Sequence, residues 1–232
     1  MSAAILIIID KKMPFEAKSK LLDYGDVLDF ETAGITYPAI SGHPDIFFCQ
    51  APAGLVVTRG LPDHYYEVFR QKGLNFVKGE LKPGNKYPET AYYNAVITDN
   101  LLIHNLKVTD SAILGACSDL DHIHVSQAYT RCNLLALNQM FVTSDKGIHH
   151  TLVSKGLDCR YFSPDGIQLH GFRHGFLGGA CGIFEDKVFV CGSLKYFSQG
   201  KEFKQIADRA GYKLVELYDG PLVDVGSIMI CK

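Results

Sequence analysis

Residues 94–104 read NAVITDNLLIH: two apolar runs of strand length on either side of Asp99-Asn100. Asn and Asp tolerate the backbone that a tight turn between antiparallel strands requires, so the stretch reads as a β-hairpin. The same pattern recurs on both sides of it. Upstream lie Asp45–Gln50 (DIFFCQ), a turn at 51–54 and Leu55–Thr58 (LVVT). Downstream come Asn133–Leu137 (NLLAL) with Met140–Thr143 (MFVT), then Cys181–Phe184 (CGIF) with Val188–Cys191 (VFVC). Ser227–Lys232 (SIMICK) holds the first strand of a fifth copy.

Each complete hairpin is followed by a stretch of helical character. Pro62–Lys72, Asp110–Ala116, Ile148–Lys155 and Lys201–Ala210 fit, and Gly73, Gly156 and Gly211 stand where a helix C-terminal cap is expected. An extended stretch then follows: Leu74–Lys78, His122–Ser126, Cys159–Ser163 and Lys213–Tyr218. Each unit reads strand–strand–helix–strand. The pieces absent after Ser227 are found at the other end, as a strand over Ala4–Ile9, a helix over Pro14–Tyr24 and a strand over Val27–Glu31. Joining them predicts five units in a ring, the last completed by the N-terminus. Closure of this kind leaves no sheet edge exposed. The fold expected is therefore α/β, a five-fold pseudosymmetric α/β propeller of ββαβ units, as one domain over 1–232.

Composition narrows the function classes. The 232 residues carry 23 Lys plus Arg against 25 Asp plus Glu, a net charge of −2, which argues against the basic surface of a non-specific nucleic-acid binder. No apolar run reaches the length of a membrane span, and the apolar opening lacks a basic leader and a small-residue cleavage pattern. Seven scattered cysteines without a CxxC favour free thiols in a reducing cytoplasm. His122-x-His124 and His149-His150 have no third ligand at a recognisable spacing, so no metal site is expected. No GxGxxG, GxSxG or phosphate loop is present, and no cofactor is expected. Twelve Tyr and 14 Phe with no Trp point to strand and core packing rather than a base-stacking platform. What remains is a small-molecule ligand, with neither nucleic acid nor membrane as partner.

Such a ring resembles the pentein fold, the fold of guanidino-group-modifying enzymes. Several strings also resemble an uncharacterised bacterial family of that fold: Ser41-Gly-His-Pro-Asp45, Tyr87-Pro-Glu-Thr-Ala-Tyr-Tyr-Asn94, Ile103-His-Asn105, Gln127-Ala-Tyr-Thr-Arg-Cys132, Thr143-Ser-Asp-Lys-Gly147, Phe176-Leu-Gly-Gly-Ala-Cys-Gly182 and Gly192-Ser-Leu-Lys195. The resemblance implies a deiminase- or amidinotransferase-like hydrolase or transferase. In that chemistry a Cys attacks a guanidinium carbon, a His moves protons and carboxylates hold the cation. The superfamily also holds a non-enzymatic ribosome-binding initiation factor, so fold alone does not decide function.

The residues match in part. The nucleophile such enzymes carry near the C-terminus corresponds to Val225, and Gly178-Gly179-Ala180 departs from their Gly-Gly-Asp/Asn pattern. His43-Pro44-Asp45 does match the His-x-Asp of the deiminases, which implies an acid/base with a carboxylate clamp; the alternative is a loop-capping pair. Strand starts converge on the centre of a ring, which brings Cys132 toward His43 as a candidate nucleophile or, alternatively, a buried structural thiol. The catalytic candidates are thus Cys132, His43 and Asp45. Asn94, Asn133 and Ser227, polar at equivalent strand starts, are substrate-binding candidates, as are Arg131 and His104; Glu89, Tyr129 and Arg173 follow. The functional expectation is an enzyme on a small guanidino or amide-like substrate. The alternative is a non-catalytic binding protein of the same fold, motivated by Val225.

Overall fold

The computed structural model describes residues 5–232; Ala4, at the head of the expected first strand, lies outside them. Two strands, β1 (Leu6–Asp10) and β2 (Asp26–Phe30), flank the helix Phe15–Leu21. Four complete units follow. The first is β3 (Phe48–Ala51), β4 (Gly54–Val57), the helix Asp63–Gln71 and β5 (Phe76–Lys78). The second is β6 (Val96–Ile97), β7 (Leu101–His104), the helix Ser111–Ala116 and β8 (Asp121–His124). The third is β9 (Leu134–Leu137), β10 (Met140–Thr143), the helix Lys146–Ser154 and β11 (Asp158–Tyr161). The fourth is β12 (Cys181–Phe184), β13 (Lys187–Val190), the helix Gly200–Arg209 and β14 (Lys213–Glu216), after which β15 (Met229–Cys231) stands alone.

These strands form five three-stranded sheets. In four of them the middle strand pairs antiparallel with its hairpin partner and parallel with the strand after the helix, as in Leu55↔Phe76 and Val188↔Leu214. The fifth sheet joins the two chain ends: Leu6, Ile7 and Ile8 of β1 lie opposite Cys231, Ile230 and Met229 of β15. Middle strands are covered on both faces, which is why they read as unbroken apolar runs; all five residues of β1 are buried. The helices present one apolar stripe, such as Tyr65, Tyr66 and Phe69, or Phe203, Ile206 and Ala207. Gly73, Gly156 and Gly211 end their helices at φ of 67°, 79° and 86°.

Five hydrophobic clusters tie the sheets together two at a time. Phe30 and Leu6 pack with Phe48 and Leu55; Cys49 and Val56 with Ala95 and Leu102; Val96 and Ile103 with Leu134 and Phe141. Leu135 and Val142 pack with Cys181 and Val188, and Phe189 packs with Ile7, Ile9 and Ile230. Each sheet belongs to two clusters, so the succession returns to the sheet where it began. All seven cysteines are buried and free. Among the described residues no helix is long and apolar enough to cross a membrane, and no group of His, Cys, Asp and Glu is arranged to hold a metal ion.

Four of the five expected strand starts begin late. Asp45 sits in a single helical turn, Pro44–Phe47, and Asn133 closes another, Thr130–Asn133. Pro44 at the first helical position presets φ for that turn. Asn94 follows the 3-10 turn Glu89–Ala91. Gly226 and Ser227 both take left-handed φ, 67° and 69°, so extended structure resumes only at Met229. Cys181 alone opens its strand where expected. These four turns, with the segment at Gly179 before Cys181, supply the site.

Candidate functional site

The turns meet through a circuit of hydrogen bonds. Asp45 N–H donates to Gly226 O (3.1 Å), Ser227 N–H to Gly179 O (2.8 Å), Gly179 N–H to Cys132 O (2.8 Å) and Arg131 N–H to Asn94 O (2.9 Å). The Asn94 side-chain amide completes it by donating to Asp45 O at 3.1 Å. Five segments far apart in sequence are thereby fixed around one point, all with buried backbone.

Cys132 and Asp45 stand at that point. The Cys132 thiol donates to Asp45 Oδ2 at 3.1 Å, and Ser227 Oγ donates to the same oxygen at 2.8 Å. Asn94 bonds Cys132 twice, Nδ2 to Sγ at 3.1 Å and Oδ1 from the Cys132 N–H at 3.1 Å. Asp45 Oδ1 is buried with no hydrogen-bond partner. Leaving a carboxylate oxygen in that state is costly, which favours the neutral acid. Accordingly burial raises the Asp45 pKa, opposed by its bonds to Cys132 and Ser227. Burial, followed by the nearby Asp45 and Asp224 carboxylates, pushes the Cys132 thiol well above the usual cysteine range. In the free protein Cys132 is therefore a thiol.

A cavity of about 230 Å³ opens beside Cys132, and His43, Asp224, Tyr37, Tyr129, Phe176 and Arg173 are among its walls. His43 Nε2 lies 3.8 Å from Asp10 Oδ2 and Nδ1 4.0 Å from Asp224 Oδ1. Burial, reinforced by Lys12, holds the His43 pKa down to about 3, so the ring is neutral and these are contacts between a neutral imidazole and acids. Asp224 accepts from Gly226 N–H at 3.0 Å and Phe176 N–H at 2.9 Å. Burial, then Asp45, raises its pKa to about 7. Gly226 is required here: its φ is 67°, and a Cβ on it would lie 2.1 Å from His43 Cβ. Of the lining tyrosines, the Tyr129 hydroxyl bonds Thr90 Oγ1 and lies 3.3 Å from that of Tyr37.

The structure brings His43, Asp45, Cys132, Asn94 and Ser227 close together and places three other candidates elsewhere. His104 has both ring nitrogens engaged, Nδ1 with Thr109 Oγ1 (2.8 Å) and Nε2 with Ala128 O (2.9 Å), and is fully buried. Burial lowers its pKa to about 4, as suits a clasp between loops. Asn133 donates to Tyr129 O at 2.8 Å and accepts from Ser144 Oγ at 3.1 Å, holding the Cys132 turn without lining the cavity. Arg131 lines a second cavity. Of the weaker candidates, Tyr129 and Arg173 line the Cys132 cavity and Glu89 does not.

Sequence reasoning missed Asp224 and Asp10. Both ended apolar strings (PLVD, ILIIID) and could pass for strand-end caps. The readable signal for Asp224 was the glycines that face it: a Cβ on Gly175 would lie 2.4 Å from Asp224 Cβ, and one on Gly179 2.0 Å from its Oδ1.

The fold is shared with solved enzymes. DDAH from Pseudomonas aeruginosa, in a mutant complexed with citrulline, superposes with a TM-score of 0.52 at 9% identity, over 91% of each chain. Agmatine deiminase from C. jejuni gives 0.53 at 9% identity, over 83% of this chain and 68% of its own. SxtG, an amidinotransferase of the saxitoxin biosynthetic pathway of Microseira wollei, gives 0.51 at 11% identity, over 92% and 88%. At these identities the likeness is one of fold, the pentein fold. No curated protein matches the sequence. The model of one sequence family matches residues 8–229, and the chain accordingly belongs to that family, the family of unknown function DUF6873.

Proposed function

We propose that the five sheets are the blades of one closed pentein propeller, a single domain over 1–232, and that the cavity beside Cys132 takes a small cationic substrate of the guanidino or amide-like class. The observation that carries this reading is the Cys132 Sγ–Asp45 Oδ2 contact of 3.1 Å at the wall of a cavity that also presents Asp224 and His43. A guanidinium is planar and cationic. Asp224 offers it a carboxylate, and Tyr37, Tyr129 and Phe176 offer aromatic faces that attract cations.

A bound cation also changes the thiol. The carboxylates that hold Cys132 protonated are the groups a cation offsets, so the thiolate becomes accessible once substrate is in place. In the proposed step the bound cation favours the ionised form of Asp45, which takes the Cys132 proton as sulfur attacks the planar carbon. The leaving nitrogen takes that proton, relayed through the neutral His43 ring, while Asp224 stays ionised against the cation. The S-linked intermediate then passes its carbon to water, in a hydrolase, or to an amine, in a transferase, and releases sulfur.

A second reading, a non-catalytic protein that binds the same cation, is favoured by the strongly raised thiol pKa and by Val225 at the position where the fold's enzymes carry their nucleophile. Both readings expect the cation to prefer ionised Asp224. Below about pH 7 each unit of acid protonates that carboxyl further, so the affinity for methylguanidine should fall ~tenfold per pH unit and level off above 7. Calorimetric titration from pH 5.5 to 8.5 checks this. A flat profile, or one lost equally with uncharged methylurea, would count against the assigned ligand class.

A further inference from the structure

The turn Thr130–Asn133 faces two cavities. Cys132 lines the one described above; Arg131 lines another, of about 260 Å³. The walls of this second cavity come from the first strand of every sheet: Phe48, Cys49 and Gln50 of β3, Val96 and Ile97 of β6, Ala136 of β9, Ile183 of β12 and Met229 of β15. It is a cavity walled by one strand from each of the five sheets, called here the channel. Arg131 is the one charged residue lining it. Among the described residues its guanidinium makes no salt bridge and no hydrogen bond, unlike those of Arg59 and Arg160, which meet carboxylates. Asp45, Asn94 and Ser227 line neither cavity.

The half-buried guanidinium is felt by the buried Asp45 carboxyl but makes no contact with it, so its five donors are open to a ligand. The planar fork matches a carboxylate bidentately, and a monoanion neutralises the one charged residue of the lining; a dianion would leave a second charge unpaired. Phe48, Val96, Ile97, Ile183 and Met229 supply a surface for methylenes, and Gln50 adds a polar side chain to the wall. We infer that this channel is a binding site for a short-chain aliphatic carboxylate, its carboxylate on Arg131 and its chain against those walls. The inference is independent of whether the Cys132 cavity turns over a substrate.

The test is a titration of the full chain with acetate, butyrate, inorganic phosphate and chloride, by calorimetry and by the Arg131 Nε–H resonance, assigned from the spectrum of Arg131→Lys. Butyrate should saturate one site and shift that resonance. Its affinity should exceed that of acetate by ~fourfold for each added methylene. Phosphate and chloride should bind more weakly than butyrate. Arg131→Gln, with its melting temperature measured alongside, should weaken butyrate at least tenfold, and Arg131→Lys by less. Equal affinity for all four anions, a resonance unmoved by butyrate in the wild-type chain, or unchanged butyrate binding in folded Arg131→Gln would each overturn the proposal. The resonance decides the matter even where the glutamine variant does not fold.

Discussion

Replacing Gly178 by Ala should destabilise the protein by about 4 kcal/mol or more, the range reserved for changes with no means of relaxing. An added Cβ would lie 2.3 Å from Arg131 O and 2.7 Å from Cys132 O. Both obstacles are backbone, and both belong to the circuit that joins the units. Cys132 O accepts from Gly179 N–H, and Gly178 O accepts from Ser227 Oγ at 3.2 Å. Moving either segment away breaks the contact between the third and fourth units on one side or the fourth and fifth on the other. Gly34 gives the control. Its φ is 72° but nothing lies within 4 Å of its Cβ position, so Gly34→Ala should cost only the left-handed penalty of about 1–2 kcal/mol. Urea denaturation of the two variants checks the contrast, and a Gly178→Ala midpoint close to wild type would count against the packed junction.

Cys132→Ser should leave stability nearly unchanged and lower turnover of a guanidino substrate by roughly a thousandfold or more, since a serine hydroxyl in this site has no comparable anionic form to attack with. The exchange is close to isosteric, and the hydroxyl retains Asp45 and Asn94 as partners. The assay is release of ammonia, amine or urea from a panel of guanidino and amidino compounds. Activity equal to wild type in the Ser variant removes the nucleophile. Tight binding with no turnover by either form supports the binding-protein reading. The two predictions separate cleanly: the glycine acts on the frame that positions Cys132, and the serine acts on the sulfur alone.

Much of the frame was legible because its middle strands are buried on both faces. Leu55–Val57 and Val188–Val190 read as unbroken apolar runs between turn residues. The pairing of the chain ends was legible as well, because β1 has no local hairpin partner and β15 no following helix. The site was legible only in part. Asp45 and Arg131–Cys132 lie in one-turn helices, where successive side chains diverge by about 100° rather than alternating across a strand. That geometry sends Arg131 and Cys132 into different cavities. His104 was a substrate-binding candidate in sequence, but Thr109 and Ala128 occupy both its nitrogens. Asp224 was hidden because a carboxylate inside an apolar string carries no local mark of its partners; the glycines that make room for it lie some 45–50 residues upstream.

The central claim is that Cys132 meets a cation held in its cavity. Chloroacetamidine, an amidinium with an adjacent alkylating carbon, tests this beside neutral chloroacetamide. Intact-mass and peptide spectrometry should find a single adduct, on Cys132, formed much faster by the amidinium reagent and slowed in Asp224→Asn. Equal rates for the two reagents, or alkylation spread over the other buried cysteines while Cys132 stays free, would contradict the account.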